Sequence, residues 1–289
     1  MRMTTLLGIG LLAVAPVLRA VEALPPLPPL TDPATMVLHP GKFVWADVFS
    51  NDVNATRHFY EQLFGWKLRW VSKPPDPYGV FSINGHDVAG LAYRDIEGED
   101  PYARWVHYLS VADTSQTVKA VEELGGRTLL SSSVADRGEF AIFSSTNDVL
   151  LGVMTSSSGD PEDVQSLEGE WIWRQLYVWD LDDSVSILQA IAPFEAQSAD
   201  ESEYADRLLT SGGYARAGIT GLSAGSEEAP TWIGLVRVAD AGAMAARAVQ
   251  LGGRLLFEAE EGDMALISDP GGALVGLVEY TYPMVEEAQ

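Results

Sequence analysis

The stretch FVWADVFSNDVNATRHFYEQLFGW, Phe43–Trp66, decides the fold. Val44, Ala46 and Val48 alternate with Trp45, Asp47 and Phe49, the period of two that lets a β-strand present two different faces. Asp52 then stands at an N-cap position, where its carboxylate can accept from free amides of a first helical turn. Ala55, His58, Phe59, Leu63 and Phe64 recur at helical spacing. Gly65 suits a helix exit, because it tolerates a left-handed backbone. The stretch reads as strand, Asp cap, helix and an aromatic exit.

Three related stretches follow. A weaker copy begins at Trp171 (WIWRQLYVWDLDDSVSIL). A second type of unit occupies Trp105–Leu130 (WVHYLSVADTSQTVKAVEELGGRTLL) and Trp232–Phe257 (WIGLVRVADAGAMAARAVQLGGRLLF). Trp105 recurs as Trp232, Asp113 as Asp240, and Leu124–Arg127 as Leu251–Arg254, all offset by 127 residues. Trp45 and Trp173, like Asp52 and Asp180, are offset by 128. Self-similarity at a fixed period is the signature of repeated structural units. Short strands are expected after each helix of the first half, with Asn84-Gly85 as a hairpin turn between two of them. Each unit therefore reads βαβββ, and the chain as two modules of two units. The first module is placed at 40–155 and the second, more divergent one at 170–282. The polar, acidic stretch 156–169 is the linker, and 283–289 is a tail. In the second module a helix over Asp182–Ile191, an acidic loop Ser198–Tyr204, and strands from Tyr204, Gly213, Trp232, Met264 and Leu274 are expected.

Composition agrees with a packed globular chain: 47% hydrophobic, 20% charged, with eight Trp, ten Tyr and nine Phe across 289 residues. The formal net charge of −23 repels nucleic acid and anionic membrane surfaces. The absence of cysteine removes disulfides, thiol nucleophiles and thiolate metal sites. Arg2, the apolar run Leu6–Leu18 and the small residues Ala20 and Ala23 describe a secretory signal peptide, residues 1–23, cut after Ala23. The run is too short to span a bilayer; an uncleaved anchor is the alternative. The protein is then expected to be periplasmic or secreted, with no membrane association beyond that peptide. Residues 24–39 open with LPPLPPLTDP, a polyproline-like tether.

A strand that leads to Asp, a helix closing in FY..LFGW, then W.HYLSVAD and a helix ending in ELGGR resembles the vicinal oxygen chelate superfamily, which includes glyoxalases, bleomycin-resistance proteins and extradiol dioxygenases. The resemblance covers Pro40–Met154 well and Glu170–Tyr280 more loosely. It implies an α+β fold of two tandem modules, each a pair of βαβββ units forming an open, curved eight-stranded sheet whose hollow holds the ligand. The superfamily spans many chemistries, so fold does not fix function. In its metal-using members the ligands come from the first strand of each unit, seven residues before the Asp, and from a Glu in the last strand. Those positions here are Trp45, Val106 and Gly152 in the first module, and Trp173, Ile233 and Gly276 in the second. None offers a metal donor, so no metal and no cofactor are expected. The four histidines, His39, His58, His86 and His107, show no HxH or HxxxH spacing and read as structural or surface residues.

Strand parity lays Trp45, Asp47 and Phe49 beside Tyr108 and Ser110 on the first hollow, and Trp173, Gln175 and Tyr177 beside Arg237 on the second. Aromatic walls with a few convergent polar groups describe a small-molecule site, and the competing reading is side chains that fill a sheet face or an interface. Asp47 is the sole acidic group expected on its strand's concave face. Desolvated by aromatics, its pKa would rise, which suits a general base. No GxSxG, phosphate loop or dinucleotide turn is present. Three functions stay open: an exported, metal-free small-molecule-binding protein; a metal-independent lyase, isomerase or hydrolase with Asp47 as base; and a non-catalytic scaffold with plugged hollows. A homodimer is compatible with each.

Overall fold

A computed structural model describes residues 26–95, 101–146, 148–199, 205–223 and 229–283. The expected signal peptide, most of the tail and part of the Ser198–Tyr204 loop lie outside these residues. The first unit comprises β1 (Phe43–Ser50), α1 (Val53–Phe64), β2 (Lys67–Trp70), β3 (Tyr78–Ile83) and β4 (His86–Tyr93). The second comprises β5 (Ala103–Ser110), α2 (Thr114–Glu123), β6 (Arg127–Val134), β7 (Gly138–Ser144) and β8 (Leu150–Ser156). The third runs β9 (Trp171–Val178), α3 (Leu181–Ile191), β10 (Glu195–Ser198), β11 (Arg207–Ser211) and β12 (Tyr214–Gly221). The fourth runs β13 (Thr231–Val238), α4 (Ala241–Gln250), β14 (Arg254–Glu258), β15 (Met264–Ser268) and β16 (Leu274–Glu279). The fold is α+β, four βαβββ units in two modules.

Each helix starts on the aspartate that the repeat marks. Asp52 accepts from the amide of Ala55, Asp113 from Gln116, Asp180 from Asp183 and Asp240 from Ala243. One donor of each exposed first turn is thereby satisfied. Asn84 and Gly85 both take positive φ (54° and 92°), the backbone that a tight two-residue hairpin requires.

The two sheets are copies. Their strand orders are β2-β3-β4-β1-β5-β8-β7-β6 and β10-β11-β12-β9-β13-β16-β15-β14. In each, the first strands of the two units pair antiparallel at the centre, and each pairs in parallel with the last strand of its own unit. Two strands complete the expected βαβββ units at positions that were not singled out, β10 and β14. Both are sheet edges, and β14 is exposed along its whole length, so neither shows the alternation that a half-buried strand carries. β11 begins at Arg207 rather than Tyr204.

The helix-bearing faces of the two sheets pack on each other. One shared core joins Phe59, Tyr60, Trp66 and Trp105 to Val236, Ala241, Ala245, Ala248 and Ile267. A second joins Leu109, Val121 and Phe143 to Leu176, Leu188, Ile191 and Trp232. Thus α1 lies by α4, and α2 by α3. The aromatics of the opening motif serve this interface. Tyr60 stacks on Trp66 with ring centroids 5.5 Å apart, and its hydroxyl accepts from Trp105 Nε1 at 2.8 Å. Trp66 Nε1 donates to Gly169 O in the linker at 2.8 Å. Burying rings of this size stabilises the pairing of modules by roughly 2–3 kcal/mol each.

Candidate functional site

The first hollow is the opposite face of the first sheet. Its floor follows from register. Trp45 pairs with Tyr108, Asp47 with Val106 on one side and Gly90 on the other, and Tyr108 with Gly152. Asp47 is 8% exposed. Its Oδ1 accepts from Trp45 Nε1 at 2.9 Å and from the Tyr78 hydroxyl at 2.8 Å. The Tyr108 hydroxyl adds a smaller contribution that favours the charged carboxylate. Gly90 makes this possible: a Cβ there would stand 1.9 Å from Asp47 Oδ1 and 2.2 Å from the Tyr78 hydroxyl. Burial raises the pKa of Asp47, opposed by the hydrogen bonds from Trp45 and Tyr78 and by the charge of Arg137. Burial beside that carboxylate also pushes the hydroxyls of Tyr78 and Tyr108 well up, so both remain donors at neutral pH.

Arg137 completes the floor. It sits in the turn between β6 and β7, yet it is 1% exposed. Its guanidinium lies 4.3 Å over the Trp45 ring. None of its three side-chain nitrogens has a hydrogen-bond partner among the described residues. Tyr78 and Arg137 were not among the residues read from sequence. Tyr78 shares parity with Val80 on β3, a signal that was available. Arg137 had none, because a turn arginine ordinarily points to water.

The hollow is closed by the chain itself. Leu27 and Leu30 of the tether are buried in one cluster with Trp45, Tyr78, Tyr108, Phe140 and Met154. Ser158 Oγ holds this strap by accepting from the amides of Leu30 at 3.0 Å and Thr31 at 3.1 Å. Phe49 is half-buried against the same cluster. Ser110 lies elsewhere in function: its hydroxyl donates to Asp160 Oδ2, which also accepts from the His39 amide.

The second hollow repeats the plan with neutral parts. Trp173 Nε1 donates to Gln175 Oε1 at 3.1 Å, as Trp45 does to Asp47. Gln175 Nε2 donates in turn to Thr220 Oγ1 at 2.9 Å. Leu235 pairs with Trp173 where Tyr108 pairs with Trp45. Tyr177 is half-buried beside Thr220 on the neighbouring strand. Arg237 is a clamp: its Nε donates to Tyr280 O and its Nη1 to Ser166 O, both at 2.8 Å, and it lies over the Tyr282 ring. A cavity of about 660 Å³ lies away from the first hollow, where tether residues Thr35, Val37, Leu38 and His39 meet Tyr214 and Arg216. There Asp163 bridges Lys42 at 2.8 Å and Arg216 at 2.5 Å. Burial opposes its charge, but these two partners hold its pKa down at about 2.

The histidines do not converge. His58 is exposed, His86 bonds Glu170 at 3.0 Å, and His39 lines the tether cavity. His107 is buried between the modules, its pKa pushed well below the ordinary value by burial and then by Arg174.

Residues 42–149 match the model of the Glyoxalase/Bleomycin resistance protein/Dioxygenase superfamily. The first module belongs to this superfamily. The second module repeats its topology strand for strand. Along most of its length the chain is 28% identical over 257 residues to the anthracycline biosynthesis protein DauV of Streptomyces sp. (strain C5), covering 83% of this chain and 94% of that one. It is 26% identical over 253 residues to the putative glyoxylase CFP32 of Mycobacterium tuberculosis, covering 81% and 93%. Among solved structures, the Mn(II)-bound glyoxalase of Novosphingobium aromaticivorans superposes with a TM-score of 0.56 at 16% identity, covering 83% of this chain and 82% of that one. The homoprotocatechuate 2,3-dioxygenase of Brevibacterium fuscum gives 0.54 at 14%, covering 86% and 84%. These last two likenesses are of fold.

The superfamily's metal does not fit the residues present. Trp45, Val106 and Gly152, and likewise Trp173, Ile233 and Gly276, have no side-chain oxygen, sulfur or imidazole to give. The Tyr108 ring fills the place of a side chain at 152, since a Cβ on Gly152 would stand 2.4 Å from its Cδ1. Among the described residues no three His, Asp or Glu side chains gather closely enough to hold an ion.

Proposed function

We propose that this chain is an exported, metal-free small-molecule-binding protein of the glyoxalase/bleomycin-resistance type, with its ligand held in the first module's aromatic hollow. The observation that carries the reading is the convergence of Asp47, Tyr78, Tyr108 and Arg137 on one floor walled by Trp45 and Phe140. Buried polar groups cost free energy unless they are paired, so a cluster of them beneath an apolar wall is the usual form of a specificity site. The relative named for anthracycline biosynthesis supports a ligand with fused rings, and export rests on the apolar leader with its small-residue exit.

Two other readings each have one observation in favour. The burial of Asp47 suits a general base in a metal-independent lyase, isomerase or hydrolase. The strap of Leu27 and Leu30 suits a scaffold whose hollow is permanently plugged. Metal analysis followed by tryptophan-fluorescence titration with a library of aromatic small molecules separates them. The binding reading expects quenching that is lost in Trp45→Phe, with no turnover of the bound compound. One equivalent of tightly held divalent metal would overturn the metal-free reading. Turnover that Asp47→Asn abolishes would favour the enzyme, and silence to every compound the scaffold.

A further inference from the structure

Arg137 is a buried cation with no hydrogen-bond partner for its side chain among the described residues. Its residue is 1% exposed, and Nε, Nη1 and Nη2 all lack a partner among the described residues. A guanidinium carries five N–H donors in a fixed planar fork. Moving one out of water without acceptors costs several kcal/mol, a cost that folds do not carry without an offsetting term.

Asp47 is near enough to feel its charge, as are Tyr78 and Tyr108, so the guanidinium lies among the polar groups of the floor. Yet Arg137 forms no described ion pair with Asp47. The Oδ1 of that carboxylate is already taken by Trp45 and Tyr78. The guanidinium carbon lies 4.3 Å from the centre of the Trp45 ring, which seats the fork against the hollow's aromatic wall. A planar fork seated there, with no partner for Nε, Nη1 or Nη2 among the described residues, can meet a carboxylate with two parallel hydrogen bonds.

We infer that Arg137 is the recognition group for an anion, and that the first hollow takes a planar aromatic molecule bearing a carboxylate or an equivalent delocalised oxyanion. This deepens the proposed function and rests on it. The ring system lies against Trp45, Tyr108 and Phe140, in the space that Leu27 and Leu30 cover in the free chain. Its anionic group pairs with Arg137. The hydroxyls of Tyr78 and Tyr108 and the indole N–H of Trp45 face Asp47 and shield the ligand's charge from it. Among the described residues the second hollow has no such group. Gln175 stands for Asp47 and Leu235 for Tyr108, and its buried cation, Arg174, lies on the module interface over Trp171 and donates Nη1 to Trp173 O. Anion selectivity is therefore a property of the first hollow alone.

The test pairs aromatic carboxylates with their primary amides, which keep shape and lose charge: benzoate with benzamide, and 2-naphthoate with 2-naphthamide. Affinities for the full chain are measured by calorimetry and by Trp45-dependent fluorescence. The carboxylate is expected to bind about tenfold or more tightly than its amide, the preference of a charge-assisted over a neutral hydrogen bond. Arg137→Gln should bring the ratio near one while leaving the amide's affinity in place, and Arg137→Lys should restore part of it. Equal affinity for acid and amide in the wild type would overturn the inference and leave the binding hollow standing. No Trp45-dependent response to any of the four compounds would count against the hollow itself, and the inference would fall with it. If Arg137→Gln does not fold, the wild-type acid-to-amide ratio decides alone.

Discussion

His107 and Gly234 hold the same place in the repeat, and they face each other across the module interface. A Cβ on Gly234 would stand 2.6 Å from His107 Cε1 and 2.6 Å from Trp171 Cζ3. The imidazole of one module thus fills the space that its counterpart leaves open. Trp105 stacks on one side of it, and Trp171 meets it edge-on. Two copies of an identical module could not pack this way, since two histidines would collide and two glycines would leave a void. The tandem has diverged into a complementary pair.

Gly234→Ala is therefore expected to destabilise the chain by about 1–3 kcal/mol, the range for overpacking a tight interior. In a His107→Ala background the same change should cost markedly less, because half the crowding is gone. Urea unfolding of the four proteins measures the coupling. Equal cost in both backgrounds would mean that the two modules do not meet at these residues.

Much of this architecture is legible in the chain because it is local. Asp52, Asp113, Asp180 and Asp240 announce four helices through capping, which needs only the next three residues. Parity on β1 and β5 places Trp45, Asp47 and Tyr108 on one face. What covers a face is not local, and there the reading stops. Tyr60, Trp66 and Trp105 look like core residues of one module, and they are the contact between two. Ser110 and Arg237 sit on the expected strands, yet their partners, Asp160 and Ser166, come from the linker, whose path periodicity does not describe. Arg137 stands in a turn, where nothing in the sequence separates a buried guanidinium from a solvated one.

The floor of the first hollow depends on the missing side chain of Gly90. A methyl group there would lie 1.9 Å from Asp47 Oδ1, so Gly90→Ala must move the carboxylate, Tyr78 or both. We expect a loss of about 1–3 kcal/mol together with the ligand response of Trp45. In Asp47→Ala the added methyl should be tolerated better. Unfolding midpoints for the single and double variants check this, and a penalty indifferent to residue 47 would place the carboxylate elsewhere.

The strap offers a separate handle. Pro26, Pro28 and Pro29 have no amide proton, so this end of the strap stays in place by burying Leu27, while Leu30 and Thr31 are tied to Ser158. Leu27→Asp exchanges that burial for a charge beside an apolar wall. It is expected to cost only about 1 kcal/mol in stability, because the strap can leave while both sheets stay folded. Acrylamide quenching should rise in the wild-type background and stay unchanged in Trp45→Phe. Ligand affinity should rise with it, since the strap competes for the same wall. Quenching that does not respond to Leu27→Asp would mean that the strap is not what shields Trp45.

Asp269 gives the module interface a pH dependence whose sign is unusual for a carboxylate. It is 2% exposed, and burial lifts its pKa from 3.8 to about 6, against the amides of Ala273 and Gly271 and the Tyr60 hydroxyl that bond it. A folded-state pKa above the unfolded one means that the folded chain binds the proton more tightly. Its contribution is fully present below about pH 4 and is lost as pH rises through 6. Asp269→Asn, neutral at every pH, removes the dependence. The wild type should therefore gain on Asp269→Asn as the pH falls from 7 to 4, by up to roughly 3 kcal/mol for a shift of this size. Asp163, held at about 2, acts in the opposite direction only in stronger acid, and it does so in both proteins. Thermal unfolding of the pair at a series of pH values isolates the effect, and a gap that stays constant between pH 7 and 4 would show that Asp269 remains ionised where it touches Tyr60.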